Sequence, residues 1–177
     1  MMRQKKVLMF LTQWKNNKLG VSIIEILIVV VIIAVALTSL LSLTAFLLRA
    51  SILIKDTAQA KNLAEETVEQ VRNFRDGKDW NSNGLGTLLT GEINPYHLEK
   101  DITVSPPKWK LVSGEEIMDG FKRKVIFTDV QRDSDDNIVE SGGVSDPGTK
   151  KVKATVSWGK IDAWHQIEIV TYLTNWR

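Results

Sequence analysis

The 177-residue chain has no cysteine. Thiol catalysis, cysteine metal sites and disulfide staples are therefore excluded, and whatever folds here is held by packing alone. Proline is scarce, four in all, and none precedes Pro95, so nothing in the first half interrupts a long helix. Histidine occurs only as His97 and His165, far apart and beside no nucleophile motif. There is no Ser-His-Asp pattern, no glycine-rich phosphate loop and no metal-binding histidine pair, so the chain is not expected to be an enzyme or to need a cofactor. Acids are missing from residues 1–20, which carry Arg3, Lys5, Lys6, Lys15 and Lys18. Without that segment 18 basic residues face 21 acidic ones, a net −3. The basic pI of 8.8 thus belongs to the first twenty residues and is no sign of nucleic-acid binding.

What is present is an apolar run of 28 residues, 21–48, with one ionisable side chain, Glu25. About 20 apolar residues suffice for a helix to cross a bilayer. A carboxylate in hydrocarbon costs about 2.5 kcal/mol or more, so it calls for a partner. A cut after Gly20 would create an amine at Val21, one helical turn from Glu25. An ordinary secretory signal places its cleavage site after a short apolar stretch. Here the basic residues run to Lys18, Gly20 follows, and the long apolar segment comes afterwards. The positive flank puts the N-terminus in the cytoplasm and the remainder across the membrane. An uncleaved anchor with an incidental Gly20 is the competing reading.

Lys18-Leu19-Gly20-Val21-Ser22-Ile23-Ile24-Glu25 resembles the processing site of type IV prepilins and type II secretion pseudopilins. That family has a basic leader ending in Gly, an apolar residue next, and Glu at the fifth mature position. The resemblance implies that a prepilin peptidase cuts after Gly20 on the cytoplasmic side and methylates Val21, and that Glu25 serves assembly. Val21 stands where Phe is usual and Ser22 where Thr is common. The mid-segment proline of major pilins is missing, with Ser42 at that point, which implies an unbroken helix and leans towards a minor pilin or pseudopilin. Residues 62–76 also look like the helix end of minor pilins of the modification or assembly-initiating type. The implied partners are the peptidase, other pilin or pseudopilin subunits, the inner-membrane assembly machinery of a pilus or secretion system, and the membrane itself. The implied location is the cytoplasmic membrane, single-pass, then a pilus or pseudopilus in the periplasm or at the cell surface. A type II secretion or competence pseudopilin is the alternative within the family. A membrane-anchored binding or enzymatic domain on an uncleaved anchor is the alternative outside it.

Apolar or small residues continue at Ala50, Leu53, Thr57, Ala60, Ala64, Val68, Val71 and Phe74, steps of three or four that form one helical stripe. Gly77 supplies the stop. The expected plan is a leader at 1–20, a membrane or filament-core helix at 21–48, an amphipathic continuation at 49–76, a loop at 77–99, and an antiparallel sheet at 100–177. Strand-like runs fall at 102–104, 109–112, 121–131, 138–140, 151–158 and 164–176. They predict a meander of three or four strands on the amphipathic helix half. The fold class is α+β and, with the resemblance, pilin-like.

Two clusters raise calcium. Asp79, Asn81 and Asn83 match the first half of an EF-hand-type loop, but Thr90 stands where its bidentate Glu belongs. Asp133 and Asp135, with Asp136 and Asn137, form the other. Turn chemistry accounts for both, so no metal is expected. Basic groups at Lys108 and Lys110, at 122–124, and at Lys150, Lys151 and Lys153 could mark DNA contact, but they equally suit strand edges, and the net charge argues against DNA. At least two of Trp158, Trp164 and Trp176 are expected in the core.

Overall fold

In a computed structural model of the chain, residues 20–160 and 163–176 are described. Residues 1–19, which hold most of the expected leader, lie outside that set. The chain forms two compact units, Met1–Arg49 and Ala50–Arg177. One helix, α1, covers Ile23–Asp76 without a break, as the missing proline predicts. The strands are β1 (Tyr96–Asp101), β2 (Lys108–Ser113), β3 (Glu116–Met118), β4 (Phe121–Arg132), β5 (Ile138–Val139), β6 (Val144–Lys160) and β7 (Ala163–Thr174).

Among the described residues of the first unit the apolar side chains are exposed: Ile23 is 79% exposed and Leu41 70%. The second unit is an α+β head. Its sheet runs β2-β1-β4-β6-β7, every neighbour antiparallel, with β3 and β5 also paired to β4. It has seven strands rather than three or four, and it is not a simple meander, because β1 sits between β2 and β4.

The helix buries Ala60, Ala64, Val68, Val71 and Phe74, the later part of the expected stripe. Leu53 and Thr57 remain exposed, so the sheet covers the helix only from about Ala60 on. Ala60 and Ala64 let the backbone approach Phe121, Val156 and Trp158. Further along, Val71 and Phe74 meet Val125, Phe127, Val152 and Leu173. On β4 the alternate residues Phe121, Arg123, Val125 and Phe127 are buried, but Asp129, of the same parity, is exposed beside the register shift, and Ile126 and Val130 of the other parity are buried as well.

Three further details differ from expectation. The strand predicted at 102–104 lies instead at Tyr96–Asp101, across the expected loop boundary. Leu98 is buried there, whereas Ile102 is 79% exposed. β3 was not expected; it pairs with β4 through Asp119-Gly120, whose φ angles of 51° and 85° make the two-residue turn that suits a twisted hairpin. Finally, Trp80, read as loop, is buried, as is Trp158, while Trp164 and Trp176 are exposed. Trp80 Nε1 donates to the Pro147 carbonyl at 3.0 Å. Pro147 lies in β6 where the β4–β6 register shifts between Asp129 and Val130, a position that tolerates its missing N–H. Gly86 passes over the same indole so closely that a Cβ would lie 2.6 Å from the ring.

Candidate functional site

Gly20, Val21 and Ser22 precede the helix and are exposed. Around Gly20 the space where a Cβ would stand has no atom within 4 Å, so close packing does not explain a glycine there. The helix then starts at once. The Ser22 carbonyl accepts from Glu25 N at 3.0 Å and Ile26 N at 3.2 Å, which places Glu25 in the first turn. A carboxylate there is favoured by the unpaired N–H groups and dipole of a helix N-terminus. An amine released at Val21 would sit at the same pole, two residues before the first helical one, and would add a full positive charge to that partial one.

Beyond Glu25 the segment stays apolar and exposed as far as Leu48. Its hydroxyls turn inward: Thr38 and Ser39 donate to the Val35 carbonyl, Ser42 to Thr38 O and Thr44 to Leu41 O, at 2.8–3.0 Å. Polar groups satisfied within the helix are compatible with hydrocarbon. Among the described residues this is one helix long and apolar enough to cross a membrane.

The other candidate residues are occupied by local structure. Asp79 Oδ1 accepts from the N–H groups of Asn81 and Ser82 at 3.1 and 2.9 Å, closing its own turn. The Ser82 hydroxyl and these N–H groups hold its carboxyl below the usual range. Asp133 Oδ1 accepts from Asp135 N and Asn137 N at 3.0 and 2.8 Å. Hydrogen bonds from Asn137 likewise lower the Asp133 pKa. Among the described residues, no group of three or more acids and histidines gathers as a cation would require. His97 lies 3.3 Å from the Gly114 carbonyl and 3.3 Å from Glu99, and His165 stacks on Trp158.

Five of the lysines in the basic groups are met by acids or a ring. Lys110 pairs with Glu99, Lys124 with Glu115, Lys150 with Asp129 and Lys153 with Glu92, while Lys122 lies over the Trp164 ring. Arg123, counted in the sequence among surface basic groups, is instead buried. It is 6% exposed on the core face of β4, with Glu116 of β3 beneath it and Glu66 of α1 at 4.0 Å. Its Nη1 has no hydrogen-bond acceptor. An arginine at an inward position of an alternating strand was the signal for this buried charge, and Glu116 its nearest strand partner.

No family model, curated protein or solved structure matches the chain. The chain is therefore described by its own parts: one candidate membrane-spanning helix near the N-terminus and a helix-on-sheet α+β head.

Proposed function

We propose that this chain is the precursor of a structural subunit of a type IV pilus or pilus-like filament, a minor pilin, cut after Gly20 and assembled through its N-terminal helix. One observation carries the reading. Glu25, the only acid of the exposed apolar stretch 21–48, sits in the first turn of α1, four residues after an exposed Val21. The resemblance of that octapeptide to prepilin processing sites supplies the chemistry.

A subunit of this kind changes solvent. Its helix has lipid around it first and neighbouring helices afterwards, and matched apolar surfaces keep that transfer nearly neutral. Register must then come from something that is costly when misplaced. A carboxylate left unpaired in such surroundings is costly, and a carboxylate meeting the ammonium of an adjacent chain is not. Glu25 and the amine of Val21 form that pair across neighbours. The unbroken helix at Ser42 favours the minor-subunit class over a major pilin. In this reading the peptidase, fellow subunits and the inner-membrane assembly machinery are the partners, and the mature chain ends in a filament outside the cytoplasmic membrane.

N-terminal sequencing of the chain from its native host tests this. A start at methylated Val21 is the expected result. A chain that still begins at Met1 would overturn processing and assembly together, and would leave a head on a permanent anchor.

A further inference from the structure

The sheet has two ends, and they are guarded unequally. At one end β2 carries Lys108 and Lys110 and follows Pro106-Pro107, features that discourage edge pairing. The short pieces β3 and β5 have three and two residues. At the other end β7 offers twelve residues with no proline, no lysine and no arginine, and its register with β6 is unbroken from Thr174 to Ala163. Its one acid is Glu168, flanked on the outer face by Trp164, Val170 and Tyr172, each 42–49% exposed. A long, flat, nearly uncharged edge invites another strand.

We propose that β7 of one copy receives β2 of a second copy, head to tail and in parallel. Direction follows from topology. Each neighbour along β2-β1-β4-β6-β7 reverses, so β2 and β7 run the same way. Copies anchored through residue 49 in one membrane share an orientation, and this step rests on the membrane reading given above. A same-sense neighbour displaced along the sheet presents β2 to β7, and parallel to it.

Side chains fix the register. With Lys110 opposite Glu168, Val112 meets Val170 on the same outer face. On the core face Trp109 meets Ile167, Leu111 meets Ile169 and Ser113 meets Thr171. These five pairs are apolar on apolar, hydroxyl on hydroxyl or base on acid, as cross-strand pairing favours, and the sixth sets Lys108 opposite Gln166. Lys110 already reaches Glu99 at 3.1 Å and would gain a second carboxylate. The lysines of β2 repel a second β2 and suit Glu168, so the same residues set partner choice. The two surfaces differ, so the contact is open-ended.

The absence of cysteine makes the test clean. Strands in a sheet lie about 4.8 Å apart, within the Cα range of a disulfide, roughly 4.4–6.8 Å. The full-length chain carrying both Lys110→Cys and Glu168→Cys is oxidised in membranes with copper phenanthroline. A ladder of dimer, trimer and larger species is expected, and likewise from Val112→Cys with Val170→Cys. Each single variant should stay monomeric, and two singles together should stop at the dimer. Monomer only from both double variants overturns the contact. Dimers from Glu168→Cys alone mean symmetric β7 pairing and overturn it too, as does equal cross-linking of an off-register pair, Lys110→Cys with Thr174→Cys. Alkaline carbonate extraction of the same membranes reports the anchor separately: release of the chain refutes the membrane reading, whatever the ladder shows.

Discussion

Replacing Glu116 by glutamine should destabilise the head more than replacing the buried arginine that it serves. Arg123 is 7% exposed in its side chain and Glu116 28%. Arg123 Nε donates to Glu116 Oε2 at 2.8 Å, and a second bond comes from Nη2. Glu66, at 4.0 Å and 56% exposed, is too distant and too wet to substitute. Removing one partner of a fully buried pair costs roughly 3–5 kcal/mol. Glu116 is partly wet and glutamine keeps one acceptor, so about 2 kcal/mol is expected. Arg123→Met deletes the cation with its desolvation cost and fills similar space, so its effect should stay within about 1 kcal/mol of zero. On that background Glu116→Gln should cost under about 0.5 kcal/mol, a coupling of roughly 1.5–2 kcal/mol. At about 4 °C per kcal/mol, Glu116→Gln lowers the melting temperature by about 8 °C. Fluorescence of the buried Trp80 and Trp158 in the detergent-solubilised full chain follows unfolding of the head. If Arg123→Met costs as much as Glu116→Gln, or if the two losses add, the buried-charge reasoning fails.

Three other outcomes follow from the same structure. Glu25→Ala should insert in the membrane normally yet fail to enter filaments; normal incorporation, read by immunoblot of sheared filaments, would remove its assembly role. The Lys150 hydrogen bond leads the causes that hold the Asp129 carboxyl below its ordinary range. A depressed folded value gives stability that is complete above the unfolded pKa, about 3.9, and is lost as pH falls through the folded one. Wild type should therefore lose more melting temperature than Asp129→Asn between about pH 5 and pH 3, and equal losses would exclude this pair as a source of acid sensitivity. Asp133→Ala should lower the melting temperature by the same amount with millimolar calcium as with chelator, because the carboxylate caps its own turn; a stabilisation by calcium that this variant abolishes would restore the cation reading.

The helix and the core parity of β4 from Phe121 to Phe127 were legible because each is a local period. A stripe at steps of three and four predicts which face of α1 is buried, and the sheet then covers only the part it can reach, from Ala60 onward. Parity also held the answer for Trp164 and Trp176. Both lie opposite in phase to Ile167, Ile169 and Leu173, yet aromatic size suggested core. Trp80 was hidden for another reason: its burial depends on the Pro147 carbonyl, 67 residues away in sequence, at a register shift no local pattern announces. β3 was readable in Asp119-Gly120, a dipeptide that makes hairpins where both φ angles are positive. The placing of β1 beside β4 is a long-range choice, and the Ile102-Thr103-Val104 pattern competed with it until Leu98 found the core. At the N-terminus Gly20, Val21 and Glu25 lie within one short stretch of chain, and the structure adds only that Glu25 falls in the first turn of α1.

The length of the apolar segment bears on which of the two membrane readings is stronger. From Ile23 to Leu48 the helix has 26 residues, about 39 Å, against a hydrocarbon core of about 30 Å. After Arg49, Ile52, Leu53 and Ile54 are still 45–69% exposed. A permanent anchor gains nothing from apolar surface beyond the bilayer, and mismatch or tilt carries a modest cost for each excess ångström. A helix that ends among other helices gains from every apolar residue, because its neighbours need covering over the same length. The excess therefore favours a second, protein solvent over lipid alone. A Ser substitution at both Ile52 and Ile54 separates the cases: it should leave membrane retention intact and reduce filament entry, whereas unchanged entry would mean that this surface is spare.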